Sequence, residues 1–420
     1  MIRSLTLGLP MGMQAPNEVG AQAKAFLDLA RQRLNAADLA PRTTRFTLPP
    51  MGQEGETAGV LLSTLRWVDD LAQETGVRWV CLPLDWVAEG PRRERKLSAM
   101  DALTRFPRAF VNLMIAHEGR IAVEAINDAA SFVLNLSKKS NNGFDNFRVG
   151  ASANCPANAP FFPFSRHEGE NMAFSFALET IGPALEVMRL PEVRAHRDIA
   201  LIRDRMVQAL VPMLRRIDAI GHKLAEQGHV IYSGLDASLA PFPDGQMSVG
   251  LLIEQILGAP VGSQGSVFVT TVLTDVLRTA IRESGAKAVG FNGVMFSVLE
   301  DEYLASASSR RQVSIDGLTA LAAVCGCGID MVPVPGTSFQ EEIAAVMFDI
   351  AALSSTLGKP LGVRLLPIPN RSVNEFTQFN LDFLCDGRVL ALTSNDHKFT
   401  SASALLDIQS PLRSLKGKPS

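Results

Sequence analysis

Four polar segments of the sequence carry side chains that could do chemistry, and the first is Phe147–Glu170. It runs from an apolar stretch into a Pro-rich loop that holds His167 next to Glu168. Histidine titrates nearest neutral pH, so His167 could transfer a proton or bind a metal, and Glu168 could orient it. We expect Asn154 and Arg166 of the same loop to bind a polar substrate. The alternative is a rigid loop with one exposed histidine.

The second segment is Ser233–Gly250, in which Asp236 directly follows a predicted strand. A carboxylate at the end of a strand could bind a cation or serve as an acid or base. Ser238, two residues later, is a candidate substrate ligand. The alternative is a turn aspartate that accepts hydrogen bonds from nearby backbone N–H groups.

The third segment, Gly290–Glu302, is an apolar stretch that ends in the carboxylates Glu300, Asp301 and Glu302. Confined neighbouring carboxylates raise one another's pKa, and Mg²⁺ or Ca²⁺ would relieve the repulsion. Glu300 and Asp301 are therefore candidate metal ligands, and Asn292 is a candidate substrate ligand. A solvated acidic start of a helix is the alternative.

The fourth segment, Ala323–Gly336, places Cys325 and Cys327 on a Gly-containing turn between a helix and a strand, with Asp330 close behind. A C-x-C spacing differs from the C-x-x-C turn of redox proteins. One thiolate held there could be a nucleophile, and Asp330 could position a substrate. The alternative is a pair of small buried side chains.

The elements that must position these segments alternate between strand and helix. Runs such as WVCLPL and LGVRLLPI are apolar on both faces, which is typical of parallel strands covered by helices. The sequence therefore predicts a single large α/β domain over 1–420, with polar groups gathered at the carboxyl ends of strands. The predicted strands are Ile2–Leu9, Thr43–Leu48, Trp79–Leu84, Ala109–Ile115, Phe147–Ala153, His229–Leu235, Ala288–Phe296, Gly328–Pro333 and Leu361–Pro367. The predicted helices are Glu18–Leu34, Val60–Thr75, Ile121–Leu136, Met172–Met188, Asp198–Gln227, Val249–Leu257, Val267–Glu283, Ile315–Ala323 and Phe339–Leu357.

Composition and missing motifs exclude several classes of function. The formal charge of -3 over 420 residues gives no basic field for nucleic acid. We see neither a signal peptide nor an apolar window long enough to span a membrane, and five cysteines without disulfide spacing favour a reducing cytoplasm. The dinucleotide fingerprint GxGxxG after the first strand, the phosphate loop, HExxH, paired CxxC and GxSxG are also absent, so no NAD site is expected.

Taken in order, the segments resemble one family, the microbial proteins of domain of unknown function 711. The similar stretches are IRSLTLGLP, FRVGASANCPANAPFFPFSRHEG, YSGLDASLAPFPDGQMSVG, GFNGVMFSVLEDEYLA, AVCGCGIDMVPVPG and VRLLPIPN. Ser297 stands where the family pattern has proline, and the late FGGLLG of the family is replaced by FNLDFL. The resemblance spans essentially the whole chain, with an altered C-terminal segment at about 370–420.

The resemblance implies an α/β barrel like those of pyruvate formate-lyase and ribonucleotide reductase, built from two antiparallel half-sheets that are mostly parallel inside. In radical members of that fold a loop inside the barrel presents a cysteine, and Cys325 matches the cysteine of the family's A-V-C motif. The glycyl-radical signature RVxG is missing, since Val389 is followed by Leu-Ala. Radical chemistry is therefore not expected.

Three functional hypotheses follow from these segments. The first is a non-radical enzyme that acts on a small polar metabolite in the barrel, with catalytic residues His167, Asp236, Cys325 and Asp330. The second is a metal-dependent hydrolase or lyase that holds Mg²⁺ or Ca²⁺ on Glu300, Asp301 and Asp236. The third is a non-catalytic metabolite-binding protein. All three expect a small-molecule partner and neither nucleic acid nor membrane, and they leave open whether the chain forms a homo-oligomer.

Overall fold

The computed structural model of the protein describes residues 1–11, 16–51, 58–88, 92–393 and 405–408. The strands are β1 (Ile2–Gly8), β2 (Thr43–Thr47), β3 (Trp79–Asp85), β4 (Ala109–His117), β5 (Arg120–Ala122), β6 (Val149–Ala153), β7 (Ala173–Leu178), β8 (Ile231–Asp236), β9 (Gly328–Pro335), β10 (Leu361–Ile368) and β11 (Leu405–Asp407). The α-helices are α1 (Pro16–Ala36), α2 (Ala58–Thr75), α3 (Arg92–Arg105), α4 (Val123–Ser137), α5 (Ile181–Met188), α6 (Pro191–His196), α7 (Ile199–Gly228), α8 (Val249–Leu257), α9 (Ser266–Ser284), α10 (Glu302–Ser309), α11 (Ile315–Ala322) and α12 (Gln340–Leu357). Two 3-10 helices cover Asn141–Arg148 and Val298–Glu300. Much of the predicted altered segment lies outside the described residues.

The strands form one large, mostly parallel sheet in the order β8-β7-β1-β2-β3-β4-β6-β10-β9. The central strands β1, β2, β3, β4 and β6 are parallel to one another. The outer pairs β7-β8 and β9-β10 are parallel within themselves but antiparallel to the central block. Strands β5 and β11 form a short antiparallel extension beside β4. The predicted mixed α/β architecture is thus confirmed, with two antiparallel junctions in the sheet.

The segment 288–297 lies between the two end strands of the sheet. Ala288 bridges to Leu235 of β8, and Ser297 bridges to Asp330 of β9. These are isolated bridges instead of a continuous ladder, so the prediction of a strand over Ala288–Phe296 was wrong.

The physical reason is the backbone of Gly290 and Asn292, which takes φ values of +83° and 47°. Both values are in the left-handed region, which interrupts an extended strand. The segment instead turns around the carboxylate of Asp236, which accepts the backbone N–H groups of Phe291 and Asn292.

The prediction of one helix over Met172–Met188 was also wrong. Residues Ala173–Leu178 form β7, and the helix α5 begins only at Ile181. Phe174, Phe176 and Leu178 alternate along the strand, and this period of two is the signature of a strand. The residues between them, Ser175 and Ala177, are buried as well, so the alternation is between large and small side chains and not between apolar and solvent-exposed polar ones.

The helices place apolar faces on the sheet and on one another. The longest, α7, begins at the N-cap Asp198, whose side chain accepts the N–H of Ala200, and it packs on α9, α5 and α1. At the strands β4, β6 and β10, α12 packs on the sheet and on α4. Across the described ranges, no helix is both long enough and apolar enough to cross a membrane.

The Pro-rich loop that follows β6 lies against the central strands. The carbonyl of Pro160 accepts hydrogen bonds from Ser4 at 3.1 Å and from Arg45 at 3.1 Å. The ring of Phe164 occupies space left by Gly150 and Gly362, where an added Cβ would lie closer than 3 Å to the ring. The loop is therefore part of the interior and not an exposed connection.

Candidate functional site

A cavity lies between the sheet and the Pro-rich loop. Its space is about 630 Å³, including the part that opens to solvent. Six strands contribute to it, together with the segment 288–297, the 3-10 helix at Glu300 and the loops before β9 and after β8. The lining residues are Arg3, Arg45, Trp79, Phe110, Phe147, Phe161, Phe162, Phe164, Ala240, Pro241, Phe291, Met295, Ser297, Glu300, Cys327, Asp330 and Arg364.

One side of the cavity is an ion network centred on Arg364. Its Nε and Nη2 donate to the two oxygens of Asp330 at 2.7 and 2.9 Å, a bidentate pair. Nη2 also lies 3.2 Å from Oε2 of Glu300, and that oxygen accepts the hydroxyl of Ser297 at 2.5 Å. Burial alone would lower the pKa of Arg364, but the two carboxylates raise it above its ordinary value. Burial raises the pKa of Asp330, and the charge and hydrogen bonds of Arg364 oppose that rise.

Arg364 and Arg3, which line the cavity, both lie at irregularities in the strand pairing. Between β9 and β10 the register shifts around Arg364, and Met331 on the opposite strand takes a φ of 50°. The pairing of β1 with β7 shifts between Ile2 and Ser4, and Arg3 lies at that shift. Bulges redirect side chains out of the regular alternation and recur next to functional sites.

Arg45 is the cation of the cavity that lacks a carboxylate partner. Its Nε donates to the hydroxyl of Thr43 and its Nη1 to the carbonyl of Pro160, both at 3.1 Å, and its guanidinium lies 5.1 Å from the ring centre of Phe162. Among the described residues no carboxylate lies within ion-pair distance of it. Burial, with the positive charge of Arg3, lowers the pKa of Arg45 to about 9, so it stays charged at neutral pH.

The two cysteines of the C-G-C turn differ in position. Cys327 lines the cavity, whereas Cys325 is buried behind it and does not line the cavity. Both thiols point to the carbonyl of Gly328, at 3.8 and 3.9 Å, and the N–H of Gly328 donates to Sγ of Cys325 at 3.3 Å. Gly326 between them packs against the backbone of Gly293 with no room for a side chain. The turn therefore holds the two thiols together.

The charges around the two thiols favour ionisation of Cys325 first. A hydrogen bond from Cys327 and the nearby positive charge of Lys359 lower the pKa of Cys325 to about 7, against the effect of burial. The same hydrogen bond, together with burial and the charge of Asp330, raises the pKa of Cys327. Lys359 is fixed by donating to the carbonyls of Ala322 (3.0 Å), Ala323 (3.3 Å) and Cys325.

His167, the predicted acid or base, is fully buried and does not line the cavity. Its Nδ1 lies 2.8 Å from Oδ1 of Asn158, and its ring packs against Gly8, where a Cβ would clash. Burial lowers the pKa of His167 to about 4, so the ring is neutral at pH 7. The alternative of an exposed histidine was wrong, and the geometry gives this ring a packing role at the end of β1.

Asp236 and its neighbours form a buried cluster of hydrogen bonds. The carboxylate accepts the N–H and the hydroxyl of Ser238, at 2.9 and 2.5 Å, and the N–H groups of Phe291 and Asn292, at 2.7 and 3.1 Å. The side chain of Asn292 in turn accepts the N–H of Ala237 at 3.0 Å. None of the three predicted residues Asp236, Ser238 and Asn292 lines the cavity. They join the loop after β8 to the segment 288–297.

Asn154 and Arg166 also bind protein groups instead of lining the cavity. Asn154 accepts the N–H of Glu118 at 2.8 Å and donates to the hydroxyl of Ser354 at 2.9 Å. Arg166 donates to the carbonyl of Cys155 at 2.9 Å and pairs with Glu168 at 2.7 Å. The predicted meeting of His167, Asp236 and Asp330 in one pocket is not found, because only Asp330 faces the cavity.

The predicted metal ligands Glu300 and Asp301 point in different directions. Asp301 caps α10 by accepting the N–H groups of Tyr303 and Leu304, and it also accepts the hydroxyl of Ser248 at 2.6 Å and the N–H of Gly250 at 3.1 Å. Glu300 alone turns into the cavity and belongs to the network of Arg364. In the part of the chain that the structure describes, no group of three or more histidine, cysteine or acidic residues could hold a metal ion. The predicted juxtaposition of Glu300, Asp301 and Asp236 was wrong.

The sequence reasoning missed the three arginines. Arg3 and Arg364 stand inside strands whose other residues are all buried, and Arg45 stands in β2 just before the buried Phe46 and Thr47. An arginine in such a strand needs an internal partner or a cavity, and that was the available signal. Because Arg3 and Trp79 lie at the beginnings of β1 and β3, the cavity is not at the carboxyl ends of these strands, where sequence reasoning expected polar groups.

Comparison with known proteins identifies the family. The family model described as "Uncharacterised ACR (DUF711)" matches residues 2–382. The chain belongs to this family. The resemblance predicted from the sequence motifs is thereby confirmed over most of the chain.

Relatives in this family carry names without an activity. The UPF0210 protein of Pyrobaculum aerophilum is 30% identical over 351 residues, which covers 80% of this chain and 75% of that protein. The UPF0210 protein of Methanopyrus kandleri is 28% identical over 358 residues, covering 83% and 76%. A solved structure titled "Anaerobic ribonucleotide reductase" aligns with 86% of this chain and 70% of its own, at 9% identity and a TM-score of 0.42. A likeness this weak carries no argument about chemistry.

Proposed function

We propose that the protein is a non-radical enzyme that acts on a small polar metabolite in the cavity, with the thiol of Cys327 as its nucleophile. In this proposal the sheet and the segment 288–297 together enclose the cavity as the lumen of one barrel. The observation that carries the proposal is that a thiol and an ion network of arginines and carboxylates face the same buried cavity. Charged groups cost free energy to bury, and such clusters concentrate at functional sites.

Cys325 is the proton acceptor in this mechanism. Cys327 forms a bond from its Sγ to an electrophilic carbonyl carbon of the metabolite, and the π electron pair of that carbonyl moves to its oxygen. The proton of the Cys327 thiol passes to the thiolate of Cys325, which the C-G-C turn holds nearby, since both sulfurs lie within 3.9 Å of the carbonyl oxygen of Gly328. The positive charge of Lys359 stabilises the thiolate before the transfer. Burial, and after it the charge of Arg278, lowers the pKa of Lys359, and the charge of Cys325 opposes that shift.

In this proposal Asp330 has a positioning role. Since its carboxylate is paired with Arg364 through two hydrogen bonds, it positions that guanidinium and does not itself transfer protons. Arg364 and Arg3 are then the cations available to stabilise negative charge on the carbonyl oxygen. Glu300 limits the excess positive charge of the pair, at 3.2 Å from Arg364 and 3.9 Å from Arg3.

The experiment is a comparison of metabolite turnover by two cysteine variants. The purified protein is incubated with a mixture of small metabolites, and losses and gains are followed by mass spectrometry. We expect turnover by the wild type and by Cys385→Ala, because Cys385 does not line the cavity. Cys327→Ala should abolish it. Wild-type rates in Cys327→Ala would contradict the proposal.

A second candidate function is a metabolite-binding protein without catalysis. The observation that favours it is the raised pKa of Cys327, which keeps this thiol neutral as a cavity wall. In that case metabolites would raise the melting temperature of the protein but would not be consumed. The metal-dependent hypothesis lacks a ligand set among the described residues.

A further inference from the structure

We infer that the ligand of the cavity is a monocarboxylate with a short apolar body, and that Arg45 binds its carboxylate. This inference rests on the proposed function, because it names the class of molecule that the same cavity takes. It is carried by the charge balance of the cavity, by the unused donors of Arg45 and by the apolar walls.

The charge balance of the cavity leaves one positive charge without a partner. Among the described residues, its lining contains three arginines, two carboxylates and no lysine. Both carboxylates contact Arg364, and Glu300 also lies 3.9 Å from Arg3. The charge in excess is therefore that of Arg45, and a ligand with a single negative charge would neutralise it.

The hydrogen bonds of Arg45 leave donors for such a ligand. A guanidinium has five N–H donors, and Arg45 uses Nε on Thr43 and Nη1 on Pro160. Nη2 has no acceptor among the described residues. These bonds fix the guanidinium in place, so an incoming carboxylate meets an oriented cation, and a carboxylate matches its planar geometry.

The walls of the cavity set the chemistry of the rest of the ligand. Seven aromatic side chains line it, together with Met295, Ala240 and Pro241. Contact of an apolar ligand with these surfaces contributes favourably to the free energy of binding, whereas the surfaces offer few hydrogen bonds to the hydroxyl groups of a sugar. A phosphate dianion would bring a second negative charge, whereas the arginines of the described lining exceed its carboxylates by one charge.

The test measures binding of simple probes by the shift of the melting temperature, with affinities from titration. The probes are phenylacetate and isobutyrate, their uncharged amides, and inorganic phosphate. We expect both carboxylates to raise the melting temperature, and the amides and phosphate to leave it unchanged. An equal shift with the amides, or a larger shift with phosphate, would overturn the inference.

Variants of Arg45 assign the binding to this residue. Arg45→Met should weaken phenylacetate binding by about 10-fold or more, whereas Arg45→Lys, which keeps the charge, should weaken it less. Arg33→Met is the matched control, because Arg33 contacts Gln227 away from the cavity. Should Arg45→Met fail to fold, the comparison of Arg45→Lys with wild type still tests the inference, and unchanged affinity in that variant would contradict it.

The two proposals can fail separately. If carboxylates bind through Arg45 but Cys327→Ala still turns over metabolites, the proposed mechanism is wrong and the ligand class stands. If Cys327→Ala abolishes turnover of a metabolite that is not a carboxylate, the mechanism stands and the ligand class is wrong.

Discussion

At the scale of single residues, the partners of a buried carboxylate decide whether it can serve a ligand. Asp236 and Asp301 are enclosed by N–H and hydroxyl donors from the protein, so their oxygens are occupied. Asp330 and Glu300 are held instead by an arginine that lines the cavity. Sequence position could not separate these cases, because all four follow apolar stretches. The deciding partners are distant in the chain.

Our first prediction concerns His167 and the pH dependence of stability. The pKa of His167 is about 4 in the folded protein and about 6.5 when unfolded, so the unfolded chain binds the proton more tightly. The stabilisation that the buried, neutral His167 ring gives to the folded protein is therefore fully present above pH 6.5, and it is lost as the pH falls toward 4. In urea unfolding, His167→Gln should lose less stability over this range than wild type, by up to about 3 kcal/mol. The same loss in both proteins would contradict the packing role.

The second prediction concerns Cys325 and the reactivity of Cys327. The rate at which iodoacetamide modifies Cys327 should rise through about pH 7. The reason is that Cys325 can accept the proton of Cys327 when it is a thiolate but not when it is a thiol, and its pKa is about 7. Lys359→Met should move this rise to higher pH, since the charge of Lys359 lowers the pKa of Cys325. Site-resolved mass spectrometry measures the rates.

The control for this prediction is Lys24→Met, which removes a surface lysine paired with Glu74. Its pH profile should match that of the wild type. An unchanged profile in Lys359→Met, or a rate at Cys327 unaffected by Cys325→Ser, would show that Cys325 is not the proton acceptor.

At the scale of elements, strands and helices were predicted best where their pattern is local. The N-cap Asp198 and the apolar runs of β4 and β10 mark their elements in the sequence itself. β7 and the segment 288–297 were mistaken because their conformation depends on distant partners. For β7 these are β1 and β8, and for the segment the main partner is the carboxylate of Asp236.

The third prediction tests how the Pro-rich loop fits the sheet. Gly362→Ala adds a Cβ closer than 3 Å to the ring of Phe164, so it should destabilise the protein by about 1–3 kcal/mol. The cost should be smaller in a Phe164→Leu background, where the ring is absent. Urea unfolding of the double-mutant cycle measures the difference.

Gly182→Ala in α5 is the matched control, because nothing lies within 4 Å of its added Cβ. This change should be neutral or slightly stabilising. An equal cost of Gly362→Ala with and without the Phe164 ring would contradict the described packing.

At the scale of the whole molecule, the segment 288–297 connects the two ends of the sheet. It bridges to β8 and β9, and Gly293 meets Gly326 of the C-G-C turn backbone to backbone. The sequence motifs implied a barrel through family resemblance, and the described strands form one large, mostly parallel sheet with two antiparallel junctions. Local periodicity could not have shown the arrangement, because it contains no information about which strands are neighbours.

The fourth prediction follows from that contact. Gly293→Ala should separate the two backbones, because the added Cβ would lie closer than 3 Å to Gly326. Hydrogen exchange should then increase in 288–297 and in the C-G-C turn, and remain unchanged in α7. Uniform faster exchange, or no change in either segment, would contradict a local closing contact.

The central claim is that one cavity combines the cation Arg45 with the nucleophile Cys327. The most direct test is the rate of Cys327 alkylation by iodoacetamide, with and without phenylacetate, in wild type and in Arg45→Met. We predict that phenylacetate slows alkylation of Cys327 in the wild type and has no effect in Arg45→Met at the same concentration. Alkylation that is equally fast with and without phenylacetate in the wild type would contradict the claim, and so would equal protection in Arg45→Met.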